Sequence, residues 1–443
     1  MPGLNLGLRN LGLTNLELTK LKLTKCGVMK ALAGKGMVVV VAVLLLASVA
    51  QCAEKVVYSF SDPGGAVAPI SNLISDASGS LYGTAFYGGT YGDGMVFELS
   101  PQDGAWQMTI LHSFNYDGVD GIWPTAGLVF DGAGNLYGTT EFGGITNCGL
   151  IGCGTVFELS PAGNGSWTET VLHQFDYADG YEAHAGVVLD ASGNLYGTTA
   201  SGGAYEQGTV YELSAGANHH WTYHMLHNFT GLSDGGVPYG GVILDGAGNL
   251  YGMASQGGGS SANCTYGCGV VFELNAPRGG ERNGTVLHYF GRSVGDGWYP
   301  QGGLIFDQAG NLYGTASKGG TDHSGIVFEL SPAGNGQWQE TLLYTFNCCD
   351  DGANPDGDLI FDASGNLYGV TLDGGGPHNW GTAFELTPGT AEWTETLLHD
   401  FHLNGFDGAN PGSTLLLDAA GNLYGTTSRG GSANEGAVFE IMR

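Results

Sequence analysis

Positive charge is what this sequence most lacks. Its 443 residues hold 13 Lys plus Arg against 42 Asp plus Glu, a formal net charge of -29. No Lys or Arg occurs between residues 56 and 277. Such a chain has almost nothing to set against phosphates, which excludes nucleic acid and an anionic membrane surface as partners. Long apolar runs are equally scarce. Only residues 37–50 (MVVVVAVLLLASVA) form one, and that falls short of the ~20 residues a membrane-spanning helix needs, so no transmembrane anchor is expected after leader cleavage. The catalytic phrases HExxH, GxSxG and the P-loop are missing. Fragments such as Gly132 to Gly134 lie between two strand-like segments, the wrong context for a dinucleotide site. The 81 glycines follow no three-residue period, which excludes collagen. What is present is 42% hydrophobic and 11% aromatic residues, enough to bury a core and to rule out a disordered acidic chain.

The apolar run stands behind Lys30 and Lys35 and ends in small residues at Ser48 and Ala50, the layout of a signal peptide. Residues 29–53 form a leader of normal proportions if Met29 is the start. Residues 1–28, with their Leu-x-Leu pattern, are then a non-native or vestigial extension. Cys52 offers a second exit, lipidation, although Gln51 departs from the small residue expected before a lipidated cysteine. Ordinary cleavage and a secreted, periplasmic or cell-surface location are the primary expectation.

Self-similarity dominates the remainder. The phrase LYG recurs at Tyr82, Tyr137, Tyr196, Tyr251, Tyr313, Tyr368 and Tyr424, at intervals of 55, 59, 55, 62, 55 and 56 residues. Each copy carries four segments in order, as in GLVFD (127–131), NLYGTT (135–140), TVFELS (155–160) and WTETVLHQF (167–175). All are short, rich in β-branched or aromatic residues and bounded by turn formers, so they are expected to be strands, here called a, b, c and d. The Asp-x-x-Gly-Asn link from a to b is hairpin chemistry. Strands a and c are apolar on both faces. A ring of four-stranded sheets packed face to face meets that demand, and seven copies predict one seven-bladed all-β propeller over residues 54–443. The seventh copy lacks a strand d, whereas Lys55 to Phe60 (KVVYSF) precedes the first strand a and matches strand d elsewhere. The N-terminal strand is thus expected to complete the last blade and close the ring.

The phrases DxxGNLYGTT, GTVFELSP and ETVLHxF resemble the Gloeo/Verruco tandem repeat of bacterial exported proteins, over nearly the whole mature chain. The resemblance implies a secreted β-propeller and no particular activity.

Five histidines share one place in strand d (His112, His173, His227, His288 and His399), where the other two units have Tyr58 and Tyr344. Tyrosine replaces a packed aromatic with a polar tip but is a poor zinc ligand, so packing is the expected role. Seven strand-c glutamates (Glu98, Glu158, Glu212, Glu273, Glu329, Glu385 and Glu440) are too alike for a catalytic pair, which needs unlike environments. With so few cations they must face water or accept hydrogen bonds. Cys148 with Cys153, and Cys264 with Cys268, are expected to form local disulfides in two b to c connections, in keeping with export. Cys348 and Cys349 form either a vicinal bridge or thiols.

The d to a and b to c connections emerge on one face and are the long, variable ones. They carry Asp-Gly pairs at Asp120, Asp179, Asp234, Asp296, Asp351 and Asp407, with aromatics Trp123, Tyr181, Tyr239, Trp298, Tyr299 and Trp380. An acidic, aromatic face on a rigid scaffold suits neutral or cationic sugars. These six aromatics are the candidate ligand-binding residues. No cofactor is expected, although Asp350, Asp351, Asp356 and Asp358 cluster within nine residues and are a candidate site for Ca²⁺. The resulting reading is a monomeric, non-catalytic exported propeller that binds carbohydrate or another cell-surface polymer. The alternatives are a secreted polysaccharide hydrolase or lyase, or a lactonase-like hydrolase with a metal in the central channel, and a protein-interaction scaffold. Breaks in the repeat are expected mostly at loop tips, whereas an enzyme would need unmatched polar residues near the axis.

Overall fold

The structure is a computed structural model that describes residues 53–443 except 62–66, 146–147, 150, 217–219, 262, 278–281 and 348–349. The expected extension, the leader up to residue 52, the lipidation candidate Cys52 and the Cys348, Cys349 pair lie outside the described residues.

Seven four-stranded antiparallel sheets, each in the order a-b-c-d, make a seven-bladed β-propeller. In the second blade the strands are Val129–Phe130, Leu136–Thr140, Thr155–Gly163 and Ser166–Gln174. No helix occurs among the described residues. The last sheet consists of Leu416–Leu417, Leu423–Thr427 and Ala437–Met442, with Ala53–Ser59 as its outer strand. In that pairing Tyr58 stands opposite Val438 and Lys55 opposite Glu440.

The repeated words each have a packing reason. In the a to b hairpin, Asp131 Oδ1 accepts from the Ala133 and Asn135 amides, while its Oδ2 accepts from Asn135 Nδ2 and the Tyr137 hydroxyl. One carboxylate thereby closes the turn and anchors the tyrosine of LYG, and Asp190 and Asp362 repeat the pattern. The glycine of LYG pairs across the sheet with the strand-c aromatic, as Gly138 does with Phe157. A Cβ on Gly138 would stand 2.6 Å from Phe157 Cζ, so the glycine provides the floor on which the ring lies.

Blades join through the phenylalanine that follows strand d. Phe60, Phe114, Phe175, Phe229, Phe290, Phe346 and Phe401 each meet, edge to face, the strand-c ring of the next blade: Phe97, Phe157, Tyr211, Phe272, Phe328, Phe384 and Phe439. The centroids are 5.1, 5.2, 5.1, 5.1, 5.2, 5.1 and 4.9 Å apart in that order. All fourteen rings are buried. Edge-to-face contact adds about 0.5–1.5 kcal/mol per pair beyond area burial, and the same joint occurs seven times. Two disulfides, Cys148 to Cys153 and Cys264 to Cys268, tie the b to c connections of blades two and four.

Candidate functional site

Six residues ahead of strand a, every blade has a residue in left-handed conformation: Ala68, Trp123, Glu182, Val237, Tyr299, Asn354 and Asn410, with φ between 48° and 61°. All but Glu182 precede a proline. Their backbones bridge the blades. The Trp123 amide donates to Asp93 O of the preceding blade, and Trp123 O accepts from the Glu141 amide of its own. Val237 does the same with Gln207 O and the Ser255 amide, and Asn354 with Ser324 O and the Leu372 amide. Held at both ends, this segment brings the second residue beyond the left-handed position to the mouth of the central channel.

That position is Ile70, Thr125, His184, Tyr239, Gln301, Asp356 and Gly412 around the ring, and no two blades share a residue there. All seven line an axial cavity of ≈ 770 Å³, together with Phe86, Glu141 and Leu372 from the segment after strand b. The mouth is therefore asymmetric, with His184, Tyr239, Gln301, Asp356 and Glu141 polar and Ile70, Phe86 and Leu372 apolar. The expectation that the repeat breaks mostly at loop tips is corrected here, since its most varied column faces the axis.

The polar arc holds perturbed acids and a perturbed base. His184 Nε2 lies 3.7 Å from Glu141 Oε1. Burial, reinforced by the neighbouring Glu182 charge, pushes the Glu141 carboxyl up to about 7. Burial pushes His184 down to about 4, so its imidazole is neutral at physiological pH. Its ring also meets Tyr239 edge to face at 5.0 Å. Asp356 is raised to about 6 by burial and then by Asp373, with Lys318 opposing. This is an arrangement able to hold or pass a proton beside a bound ligand.

Next to the arc lies an aromatic band crossing blades one to three. Trp123 stacks on Phe86 at 5.4 Å and 23° and meets Tyr87 and Phe142 edge to face. Phe142 meets Tyr181, which stacks on Tyr177 at 5.0 Å. Six rings are thus contiguous, Tyr87 and Tyr177 are exposed at the ends, and Phe86 also lines the cavity.

Of the six aromatics singled out from the sequence, Trp123 and Tyr181 share this band and Tyr239 lines the cavity. Trp298 lies elsewhere, in a two-residue strand paired with Lys318–Gly319 and tilted over His323 at 5.2 Å. Tyr299 packs on the hydrophobic core between blades four and five. Trp380 contributes a backbone carbonyl to the Asn410 amide. Phe86, Phe142, Glu141 and His184 were missed by sequence reasoning. Aligning the seven copies and reading the column after the proline would have exposed His184.

Two expectations about acids change. The Asp-Gly carboxylates do not make an acidic binding face, because five of them turn to the strand-d histidines and Asp351 to Tyr344. His112 Nε2 lies 3.0 Å from Asp120, His173 2.9 Å from Asp179 and His399 3.0 Å from Asp407, and Asp120, Asp296 and Asp407 are buried. The Asp350 to Asp358 cluster is divided. Asp351 accepts from the Tyr344 hydroxyl and the Asn347 amide, whereas Asp356 and Asp358 line the axial cavity, with Asp358 accepting from the Gly303 amide and its own amide donating to Thr414 Oγ1. The groups of three or more ligands close enough for a metal, among the described residues, include none of the four. The strand-c glutamates accept hydroxyl hydrogen bonds, from Ser160 to Glu158, Ser331 to Glu329 and Tyr368 to Glu385, which is the structural role expected of them.

Fold and site together define a repeat-built, seven-bladed β-propeller with a varied, loop-rich face. The chain belongs to the Gloeobacter/Verrucomicrobia repeat family, whose model matches residues 46–265 and 259–443. No curated protein matches it. Among solved structures it is similar to an extracellular domain assigned to a hybrid two-component system of B. thetaiotaomicron, at 12% identity and a TM-score of 0.54, over 88% of this chain and 40% of that one. At that identity the likeness concerns the fold alone.

Proposed function

We propose that the protein is an exported, non-catalytic propeller that binds a carbohydrate or another cell-surface polymer on its loop-rich face. The observation that carries this reading is the band of six contiguous rings leading into the axial cavity. Flat rings stack on sugar faces, and the acids and amides of the polar arc fix hydroxyl groups. Export is supported by the two disulfides. Glycan-array binding followed by calorimetry tests it. Trp123→Ala and Tyr181→Ala should each weaken binding by about tenfold or more, while Trp298→Ala, three blades from Trp123, leaves it unchanged. Absence of any glycan ligand, or equal affinity across the three variants, overturns the reading.

A second reading, a polysaccharide hydrolase or lyase, is favoured by one observation: Glu141, with its pKa near 7, stands beside a neutral His184 at the axis. Release of new reducing or unsaturated ends by the native chain and its loss in Glu141→Gln would establish catalysis. Binding without release, unchanged in Glu141→Gln, leaves the first reading in place.

A further inference from the structure

Six outer joints among the described residues invite comparison, because each presents the strand-d His or Tyr of one blade, the Asp of the turn that follows, and a strand-d residue of the next blade. Where histidine is present, its Nε2 lies 3.0, 2.9, 3.3 and 3.0 Å from the aspartate at His112, His173, His227 and His399. The joint between blades four and five departs from this. There His288 Nε2 is 3.7 Å from Asp296 Oδ1 and 3.7 Å from Glu340 Oε1, and all three atoms are buried without a hydrogen-bond partner. The Asp296 side chain is 1% exposed, and its other oxygen is held by the Arg292 amide.

We propose that His288, Asp296 and Glu340 form a binding site for a divalent transition-metal cation, Zn²⁺ foremost, that clips blade four to blade five. With two edges of 3.7 Å and a third no longer than 4.8 Å, the three atoms lie about 2.0–2.4 Å from a common centre, a spacing that small side-chain shifts bring to the ~2.0–2.2 Å of Zn²⁺ bonds to imidazole nitrogen and carboxylate oxygen. As ligands, one imidazole nitrogen and two carboxylates would set two negative charges against the ion's two positive ones, their protons being released as the ion binds, and His288 and Glu340 keep 16% and 14% exposure as an entry path and room for a fourth, water ligand. Glutamates also stand beside His112 with Asp120 and beside His399 with Asp407. In those joints the imidazole is already hydrogen-bonded to the aspartate, so its Nε2 is not free to ligate. Among the described joints, the fourth is the one where the histidine and aspartate have separated around a third ligand.

The test is Zn²⁺ titration by calorimetry of tag-free, chelator-stripped protein, with Co²⁺ absorption as a second readout of tetrahedral coordination. One equivalent should bind. Glu340→Gln should weaken it beyond the about 10–100-fold typical of outer-shell changes, and Glu169→Gln, at the first joint, should not. His288→Tyr serves as the variant safest for folding, since the repeat itself places Tyr58 and Tyr344 there, and it should abolish the site. No binding by the native chain, equal binding by His288→Tyr, or equal loss in Glu169→Gln overturns the proposal. In the last two cases the ion is held elsewhere. In the first, the three groups share a proton.

Discussion

The joints between blades and the mouth of the channel are built from the same repeat, and they have diverged to opposite extremes. At the joints the seven edge-to-face contacts span only 4.9 to 5.2 Å, and thirteen of the fourteen rings are phenylalanine, Tyr211 being the exception. At the mouth, seven equivalent positions carry seven different residues. Packing density explains the first, because an interior of fitted rings registers a change of one methylene. The second is free to vary, since its side chains project into a cavity and the backbone is held by inter-blade hydrogen bonds regardless of side chain. Function is therefore to be sought where the copies disagree.

The sharpest way to break this contrast is to truncate one member of each region. Phe157→Ala removes a fully buried ring that touches Phe114 of the preceding blade and should cost about 3–5 kcal/mol in chemical denaturation. Gln301→Ala, at the mouth, should stay within about 0.5 kcal/mol. Comparable losses in the two would show that the mouth also supports the ring. Gly138→Ala comes next. Its new methyl would lie 2.6 Å from Phe157 Cζ and 2.9 Å from Leu128 Cδ2, both held by the core, so overpacking by about 1–3 kcal/mol is expected. Gly132→Ala, whose Cβ would meet nothing within 4 Å, is its control.

The same contrast explains what was legible in the sequence. LYG, the Asp-x-x-Gly-Asn turn and the HxF ending could be read because each has one packing solution, repeated seven times, and repetition turns a weak local signal into a strong one. The site escaped for the converse reason. Glu141 and His184 are 43 positions apart and meet because the segment after strand b of blade two abuts the strand-a entry of blade three, a proximity that no spacing rule encodes. The Asp-Gly pairs misled in a different way. Asp120 and Asp407 look like exposed turn acids until the strand-d histidine, eight residues earlier, turns them inward.

Acid titration separates the a to b hairpins from the joints by sign. Asp131, Asp190 and Asp362 are held below the usual carboxylate range by backbone and side-chain hydrogen bonds that outweigh their burial. Their contribution is present above about pH 3.8 and is lost as the pH falls through their folded values. Glu169, beside His112 and Asp120, is raised to about 7 by burial and then by the Asp120 charge, with His112 opposing, and Glu395 reaches about 7 by burial and then Asp351. For these the folded state holds the proton more tightly, so stability falls as the pH rises from about 4.5 to 7 and levels off above. Glu169→Gln should therefore lose less stability than the native chain as the pH rises from 4.5 to about 7, the two thermal-midpoint profiles being compared with each other because His184, pushed down to about 4 by burial, contributes with the opposite sign in this window. Equal slopes in the two profiles would contradict the burial of Glu169.

A small gain is expected between the two regions, at the left-handed residue six positions ahead of strand a. Asparagine tolerates this conformation, and Asn354 and Asn410 occupy it in blades six and seven at φ 55° and 54°. Val237 occupies it in blade four at φ 55°, where a β-branched side chain is a genuine outlier. It persists because its amide and carbonyl are both engaged, with Gln207 O and the Ser255 amide, so the surrounding ring enforces the angle. Val237→Asn imports the solution of blades six and seven and should raise stability by about 0.5–1 kcal/mol, read as a small upward shift of the thermal midpoint, with ligand affinity unchanged. A loss instead would mean that the half-buried valine contributes more through packing than it costs in strain, and that the entry segment is tuned blade by blade like the mouth beside it.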